Sequence, residues 1–367
     1  MNVVVIGAGI FGASTAFHLA SAGAAVTIVD PMLSGRATRA GAGIINPWSS
    51  LITDPDWYAI ARRGAAYYPE LIEALSETGH GEIGYRRTGS MNVPGTPEEL
   101  DAAEARVRGR IVDDPNAGAV SRISAAEARK LFPPLGRDFE ALHVSGGARL
   151  DGDALARSLV GATVAKGGKL LSNPVSSLIH HAGRVTGVET AEGRFEADAV
   201  VLCAGVWSND LLAPLGLNLD IRLQRGQILH LGLQGVDTSK WPVLLPLNNY
   251  YLLAFDDSRV VVGATREEET GMDFRVTAGG QAEVLRAGLA VAPGLATATI
   301  LETRVGFRPM PKRQAPMFGK HDAVEGLYIG NGLGHSGLTF GAYAGSLLSA
   351  VIAGRQTELG LSPYRIV

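Results

Sequence analysis

The chain has a single cysteine in 367 residues, an aromatic share of only 6% and a formal charge of −3. One thiol, Cys203, excludes an intramolecular disulfide and any metal cluster built on several thiolates. The near balance of 33 basic and 36 acidic residues leaves no basic field, so nucleic acid is not an expected partner. His180 and His181 have no acidic or cysteine neighbour, and no metal site is expected. No apolar run reaches membrane-spanning length: residues 340–353 are too few and are interrupted by Gly341, Gly345 and Ser346. The first apolar run starts two residues after Met1 and leaves no room for a leader peptide. Together these absences predict a soluble, cytoplasmic protein.

Glycine is what the chain has in excess, with 47 residues beside 46% apolar content. Such a composition suits a packed enzyme in which backbone must turn tightly or come close to a ligand. The length exceeds one hydrophobic core and predicts two domains. The first thirty residues concentrate the signal. Val3 to Ile6 is a β-branched run, the mark of a strand buried on both faces. Gly7, Gly9 and Gly12 follow at the G-x-G-x-x-G spacing, residues 13–22 read as a helix, and residues 25–29 form a second buried strand ending on Asp30. Gly7 permits the tight turn, Gly9 lets a pyrophosphate approach the backbone, and Gly12 lets helix and strand pack closely. The helix N-terminus offers its free N–H groups to phosphate, and Asp30 stands where a carboxylate accepts from a ribose hydroxyl. This unit predicts a dinucleotide site.

Further along, residues 34–48 lack periodicity and read as a loop that comes close to a ligand. Helices are predicted over 57–76, 97–107, 124–131 (with Ser124 and Glu127 as a capping box), 154–166, 277–291 and 339–352. Strand segments are predicted over 83–93 (around a Thr88-Gly89 turn), 169–171, 175–180, 185–190, 194–196, 199–203, within 221–265, and over 302–307 and 327–329. Buried strands at the start, near 200 and near 328, with antiparallel-looking material between them, predict a discontinuous nucleotide domain. Trp48 and Trp57 flank a segment that either lines a pocket or packs, and the charged run 266–269 reads as a solvated loop.

With these pieces placed, the chain resembles the D-amino-acid oxidase superfamily, nearest the bacterial glycine oxidases and sarcosine-oxidase-like enzymes. The carriers are VVVIGAGIFGAS, GRATRAGAGII, VVLCAGVWSNDLLAPLGL, RGQILHL, YYLLAFDDSRVVVGAT, RVGFRPMP and LYIGNGLGHSGLTFGAYAG, seven segments in one order. The resemblance implies an α/β fold: a Rossmann-like (GR2-type) FAD-binding domain from residues 1–82, 141–220 and 301–367. A discontinuous α+β substrate domain on an antiparallel sheet would comprise 83–140 and 221–300. It implies that the dinucleotide is FAD, bound non-covalently, with Cys203 a core residue. Residues implied to hold it are Gly7, Gly9, Ile10, Phe11, Gly12, Asp30 and Pro31, then Arg36, Ala37, Thr38, Ala42, Gly43 and Ile44. Val175 would lie against the adenine, Gly205 beside the cofactor, and Gly332, Gly334, His335, Ser336, Gly337, Leu338 and Thr339 in the flavin-facing turn. Arg39 departs from the family, whose matching position often carries serine. Arg308 would clamp a substrate carboxylate with its planar fork, assisted by Tyr251. The implied activity is oxidative deamination of a small amino acid (glycine, sarcosine or a D-amino acid) by hydride transfer, with O2 as acceptor. A dehydrogenase passing electrons to a quinone or carrier, and oxidation of a 2-hydroxy acid, stay open, as does a homo-oligomer.

Overall fold

A computed structural model describes residues 1–246, 248 and 250–366. The Asn2–Ile6 strand takes the centre of a six-stranded sheet because Val3 to Ile6 are apolar on both faces and all four are buried. The strand order is Met317–Lys320, Leu327–Asn331, Ala199–Leu202, Asn2–Ile6, Ala25–Val29, Lys169–Leu171, parallel except for the first, an antiparallel edge. Chain-consecutive strands thus lie on one side of Asn2–Ile6 and late-sequence strands on the other. The order reverses there, and the crevice beyond the carboxyl ends opens at that point. Helix Ile10–Ser21 packs against helices Gly152–Ala165 and Gly337–Ile352. It starts three residues earlier than its periodicity suggests, because extended Gly9 (φ −68°, ψ 175°) serves as the N-cap.

A nine-stranded sheet forms the second layer, in the order Gly35–Arg36, Thr299–Pro311, Ile221–Gly232, Arg259–Gly263, Tyr251–Ala254, Val243–Pro246, Ser90–Val93, Ala141–Val144, Val120–Ile123. Helix Ala278–Val291 packs on it, capped by Thr277. The Ser124–Glu127 capping box forms, and Thr96 with Glu99 makes another. The turn expected at Thr88-Gly89 within residues 83–93 forms, with Gly89 at φ 80°, the strand after it is Ser90–Val93, and the segment before it is reduced to one bridge, Arg86 to Arg149. Two expectations are corrected. The strand expected over 302–307 runs from Thr299 to Pro311, so Arg308 lies inside it, paired with Gln224, not at its end. The loop over 34–48 is tied down twice, by Gly35–Arg36 on the Thr299–Pro311 strand and by Ile44–Ile45 on Ala148–Arg149. No helix among the described residues is long and apolar enough to cross a membrane.

The two layers are joined through Asp151. Its Oδ1 accepts from the N–H groups of Asp153 and Ala154 at 3.0 Å, capping helix Gly152–Ala165, and its Oδ2 accepts from Arg259 of the nine-stranded sheet at 3.0 Å. Burial works to raise the Asp151 pKa, but the Ala154 N–H and the Arg259 guanidinium outweigh it and hold the carboxyl below its ordinary value. A depressed folded-state pKa contributes stability that is complete above the ordinary value near ~3.9 and is lost as pH falls through the lower one. Asp151→Ala should therefore cost about 3 kcal/mol at neutral pH, by losing a cap and leaving Arg259 unpaired. In urea titrations its deficit against the parent should shrink below about pH 4. A pH-independent deficit would contradict this account.

Candidate active site

The crevice at the strand-order reversal deepens into a cavity of about 640 Å³ whose far wall is the nine-stranded sheet. At the end nearest the parallel sheet it is lined by Gly7, Gly9, Ile10, Phe11, Asp30, Pro31, Arg36, Ala37, Thr38, Ala42, Ile44, Val175 and Gly205. Gly334, His335, Ser336, Gly337, Leu338 and Thr339 line it from the turn before helix Gly337–Ile352. Gly12, Gly43 and Gly332 lie behind the lining. A Cβ on Gly12 would stand 2.0 Å from the Gly7 carbonyl oxygen, and one on Gly43 would stand 1.7 Å from that of Leu150. Those two are needed where backbone meets backbone, while Gly332, at φ 73°, makes the turn.

The wall suits an extended, phosphate-bearing group. Helices Ile10–Ser21 and Gly337–Ile352 both point their N-termini at the cavity without a side-chain cap from their N-cap residues, so positive dipole ends face it. A Cβ on Gly9 would meet only Thr38 Oγ1, at 3.4 Å, and otherwise open space. Thr38 Oγ1 accepts from the Ile10 N–H at 3.0 Å. Arg36 Nε is buried without a partner. Asp30 is committed to the backbone: its Oδ2 accepts from Ala8 N–H at 2.5 Å and its Oδ1 from Met32 N–H at 2.6 Å. It pins the glycine turn and also lines the cavity. Cys203 is buried at the base, and burial pushes its thiol pKa up.

At the sheet end, Arg308 donates to Gln224 Oε1 and to the Thr265 carbonyl oxygen, each at 3.1 Å, through Nη1. Gly226, two residues along from the Gln224 that faces Arg308, makes room: a Cβ there would lie 2.5 Å from Arg308 Nη2. Gly263 does the same for Tyr251, whose hydroxyl would be 2.5 Å from a Cβ at that position. Glycine inside a strand pattern is the sequence signal for such a gap. Burial raises the Tyr251 pKa against the pull of Arg308 and Arg266, so its hydroxyl stays a neutral donor. Burial lowers the Arg308 pKa, and Arg266 adds to the effect, yet a guanidinium keeps its charge. Tyr250, also on the wall, turns its hydroxyl away to donate to Glu283 at 2.7 Å.

Arg266 adds to the sequence reading. The run 266–269 is solvent-exposed at Arg266, Glu268 and Glu269, as a solvated loop would be, but Arg266 also lines the cavity, and Glu267 and Glu268 are tied to the nine-stranded sheet. Glu267 accepts from Thr265 and Gln227 at 2.6 and 2.7 Å and pairs with buried Arg225, while Glu268 accepts from Gln224 at 2.7 Å. Among the described residues no carboxylate pairs with Arg266 or Arg308. Trp57 reaches the cavity, whereas Trp48 is buried and donates to Asp114 at 2.8 Å. Gln224 carried no signal in the sequence, being one polar residue in a strand that alternates.

The sequence profile of the FAD-dependent oxidoreductase family (DAO) matches residues 2–351. The chain belongs to that family. It is therefore an FAD-dependent amine or amino-acid oxidoreductase with a Rossmann-like cofactor domain. The crystal structure of iminodiacetate oxidase (IdaA) from Chelativorans sp. BNC1 superposes with a TM-score of 0.97 at 51% identity, covering 99% of this chain and 98% of that one. The oxidoreductase YurR of Bacillus subtilis (strain 168) is 47% identical over 364 residues, 99% of this chain and 98% of that protein. Glycine oxidase of Pseudomonas putida (strain KT2440) is 30% identical, covering 99% and 97%.

Proposed function

We propose that this enzyme oxidises a small secondary amine carrying two carboxylates, an N-carboxymethyl amino acid of the iminodiacetate kind, with O2 as the electron acceptor. The observation that carries the reading is a pair of guanidinium groups, Arg308 and Arg266, lining one cavity with no carboxylate among the described residues in an ion pair with either. A monocarboxylate such as glycine or sarcosine would leave one of two positive charges unmatched, and a second acid group answers it. The relation to an iminodiacetate oxidase supports the same substrate class.

In this reading Arg308 holds the carboxylate next to the reacting carbon, and Tyr251 adds a neutral hydroxyl donor to it. Arg266 takes the distal carboxylate, and together the three fix the amine and its α C–H in one orientation. Orientation is the protein's main contribution to such chemistry. Bound FAD supplies the two-electron acceptor. Residues 7–12, Asp30, Arg36, Thr38, Val175 and the 334–339 turn hold it without a covalent bond; the only thiol, Cys203, is buried and protonated. Water then hydrolyses the released imine to a keto acid or glyoxylate-type acid and an amine.

Arg266→Leu tests the reading. It should lower kcat/KM for iminodiacetate about a hundredfold, the worth of a charge-assisted contact, and change that for sarcosine no more than about threefold. Equal losses on both substrates would reject the two-carboxylate assignment. Hydrogen peroxide formed in step with substrate would support O2 as acceptor, and dye reduction without peroxide would replace it with a carrier.

A further inference from the structure

Gln224 sits where three charged or titratable groups meet, and its amide has only one orientation open to it. Its Oε1 lies 3.1 Å from Arg308 Nη1 and 2.6 Å from His335 Nε2, and its Nε2 lies 2.7 Å from Glu268 Oε1. A guanidinium has donors only, so the atom facing Arg308 must be the amide oxygen. A carboxylate has acceptors only, so the atom facing Glu268 must be the amide nitrogen. The two demands agree, and a flipped amide would violate both. With the oxygen facing His335 Nε2, that ring nitrogen must carry the proton. The other nitrogen, Nδ1, is then bare, on a residue that lines the cavity.

We propose that Gln224, oriented by Glu268, locks His335 in its Nε2–H tautomer, so that the bare Nδ1 offers the cavity an acceptor for the N–H of a substrate amine whose carboxylate the same glutamine aligns Arg308 to hold. Gln224 and Glu268 are positioning residues; His335 touches the substrate. The surroundings keep the imidazole from taking a proton itself. Burial and then Arg308, Arg266 and Arg222 lower its pKa to about 3. Glu268, the anion of the set, is shared between Gln224 and Arg222, with Arg222 Nη1 at 3.7 Å. A neutral imidazole near three cations can accept from an amine N–H without becoming a fourth positive charge. One glutamine thus couples recognition of the acid end to recognition of the nitrogen.

The tautomer is read directly from ring-15N resonances of the histidines in the holoenzyme, with His335 assigned by its loss in His335→Asn. The expected pattern is the neutral Nε2–H form, persisting down to about pH 5. Gln224→Leu should turn it into a tautomer mixture and raise KM for iminodiacetate about tenfold. Gln224→Glu combined with Glu268→Gln keeps an acceptor toward both Arg308 and His335 without opposing carboxylates. It should restore the Nε2–H pattern and bring KM to within about threefold of the parent; it also serves as the test should Gln224→Leu not fold. An Nδ1–H tautomer in the parent, or a pattern indifferent to residue 224, overturns the lock. For the amine contact, His335→Phe should raise KM for iminodiacetate about tenfold. It should leave inhibition by diglycolate, the ether lacking the N–H, unchanged, and equal shifts in both would remove His335 from amine recognition. The kinetic arms rest on the carboxylate clamp proposed above, whereas the resonance arm does not, so the two fail separately.

Discussion

Arg308→Lys should lower kcat/KM about a hundredfold or more, almost all of it through KM, while the yellow holoenzyme forms as before. The arginine reaches the cavity from inside the Thr299–Pro311 strand, through the gap left by Gly226, with Nη1 held by Gln224 and the Thr265 carbonyl. Those two bonds orient the fork before any substrate arrives, so little ordering is left to do on binding. An ammonium is a point charge on a flexible stem; it cannot present two parallel N–H groups to a carboxylate while also serving Gln224 and Thr265. The lost bonds are charge-assisted and desolvated, worth about 3 kcal/mol together, which is the stated factor. None of the bonds that Arg308 makes reaches the glycine turn at residues 7–12, so the visible spectrum reports whether the change stayed local. Unaltered kinetics with the lysine would dismiss the carboxylate clamp.

Gly9→Val should give a folded, colourless protein. Gly9 has φ −68° and ψ 175°, extended backbone open to any residue, and only Thr38 Oγ1 stands near the position of a Cβ, at 3.4 Å. The fold therefore has no objection to a side chain there. The cavity does: a branched residue would occupy the space beside the N-terminus of helix Ile10–Ser21, where phosphate must come within hydrogen-bond distance of the backbone. FAD affinity should fall by at least about a hundredfold, the loss of two charge-assisted bonds, with the circular dichroism unchanged. Gly12→Ala supplies the contrast. Its Cβ would stand 2.0 Å from the Gly7 carbonyl oxygen, so that variant should fail in folding before any question of cofactor arises. A Gly9→Val enzyme purified yellow would mean that the glycine turn is not the phosphate cradle.

Fold class and cofactor were legible in the sequence because they depend on local pattern. A strand buried on both faces needs consecutive apolar residues, a tight turn into a helix needs glycine, and both signals survive in one dimension. Val3 to Asp30 carried a dinucleotide site without help from the rest of the chain, and the seven segments in one order narrowed the dinucleotide to FAD. The polar end of the cavity was much less legible. Arg266 was read as solvated, and it is exposed, but nothing in a charged run with Glu267, Glu268 and Glu269 signalled that it also borders the cavity. What brings it to the cavity is a set of bonds from Arg225, Gln227 and Gln224, about forty positions earlier, to the residues on either side of it. Asp30 was read for a ligand and proved to hold backbone as well, since the N–H groups it accepts from face it only once the turn has formed.

The order of apolar, glycine and acidic residues was enough by itself to determine a central buried strand, a glycine turn opening a helix, and hence a place for a dinucleotide. Which side chains share the far end of the cavity was decided only when the strands paired. Register between residues 221–232 and 299–311 sets Gln224 opposite Arg308 and glycine opposite glycine, a one-residue slip would turn each to the other face, and no local preference encodes a partner some eighty positions away.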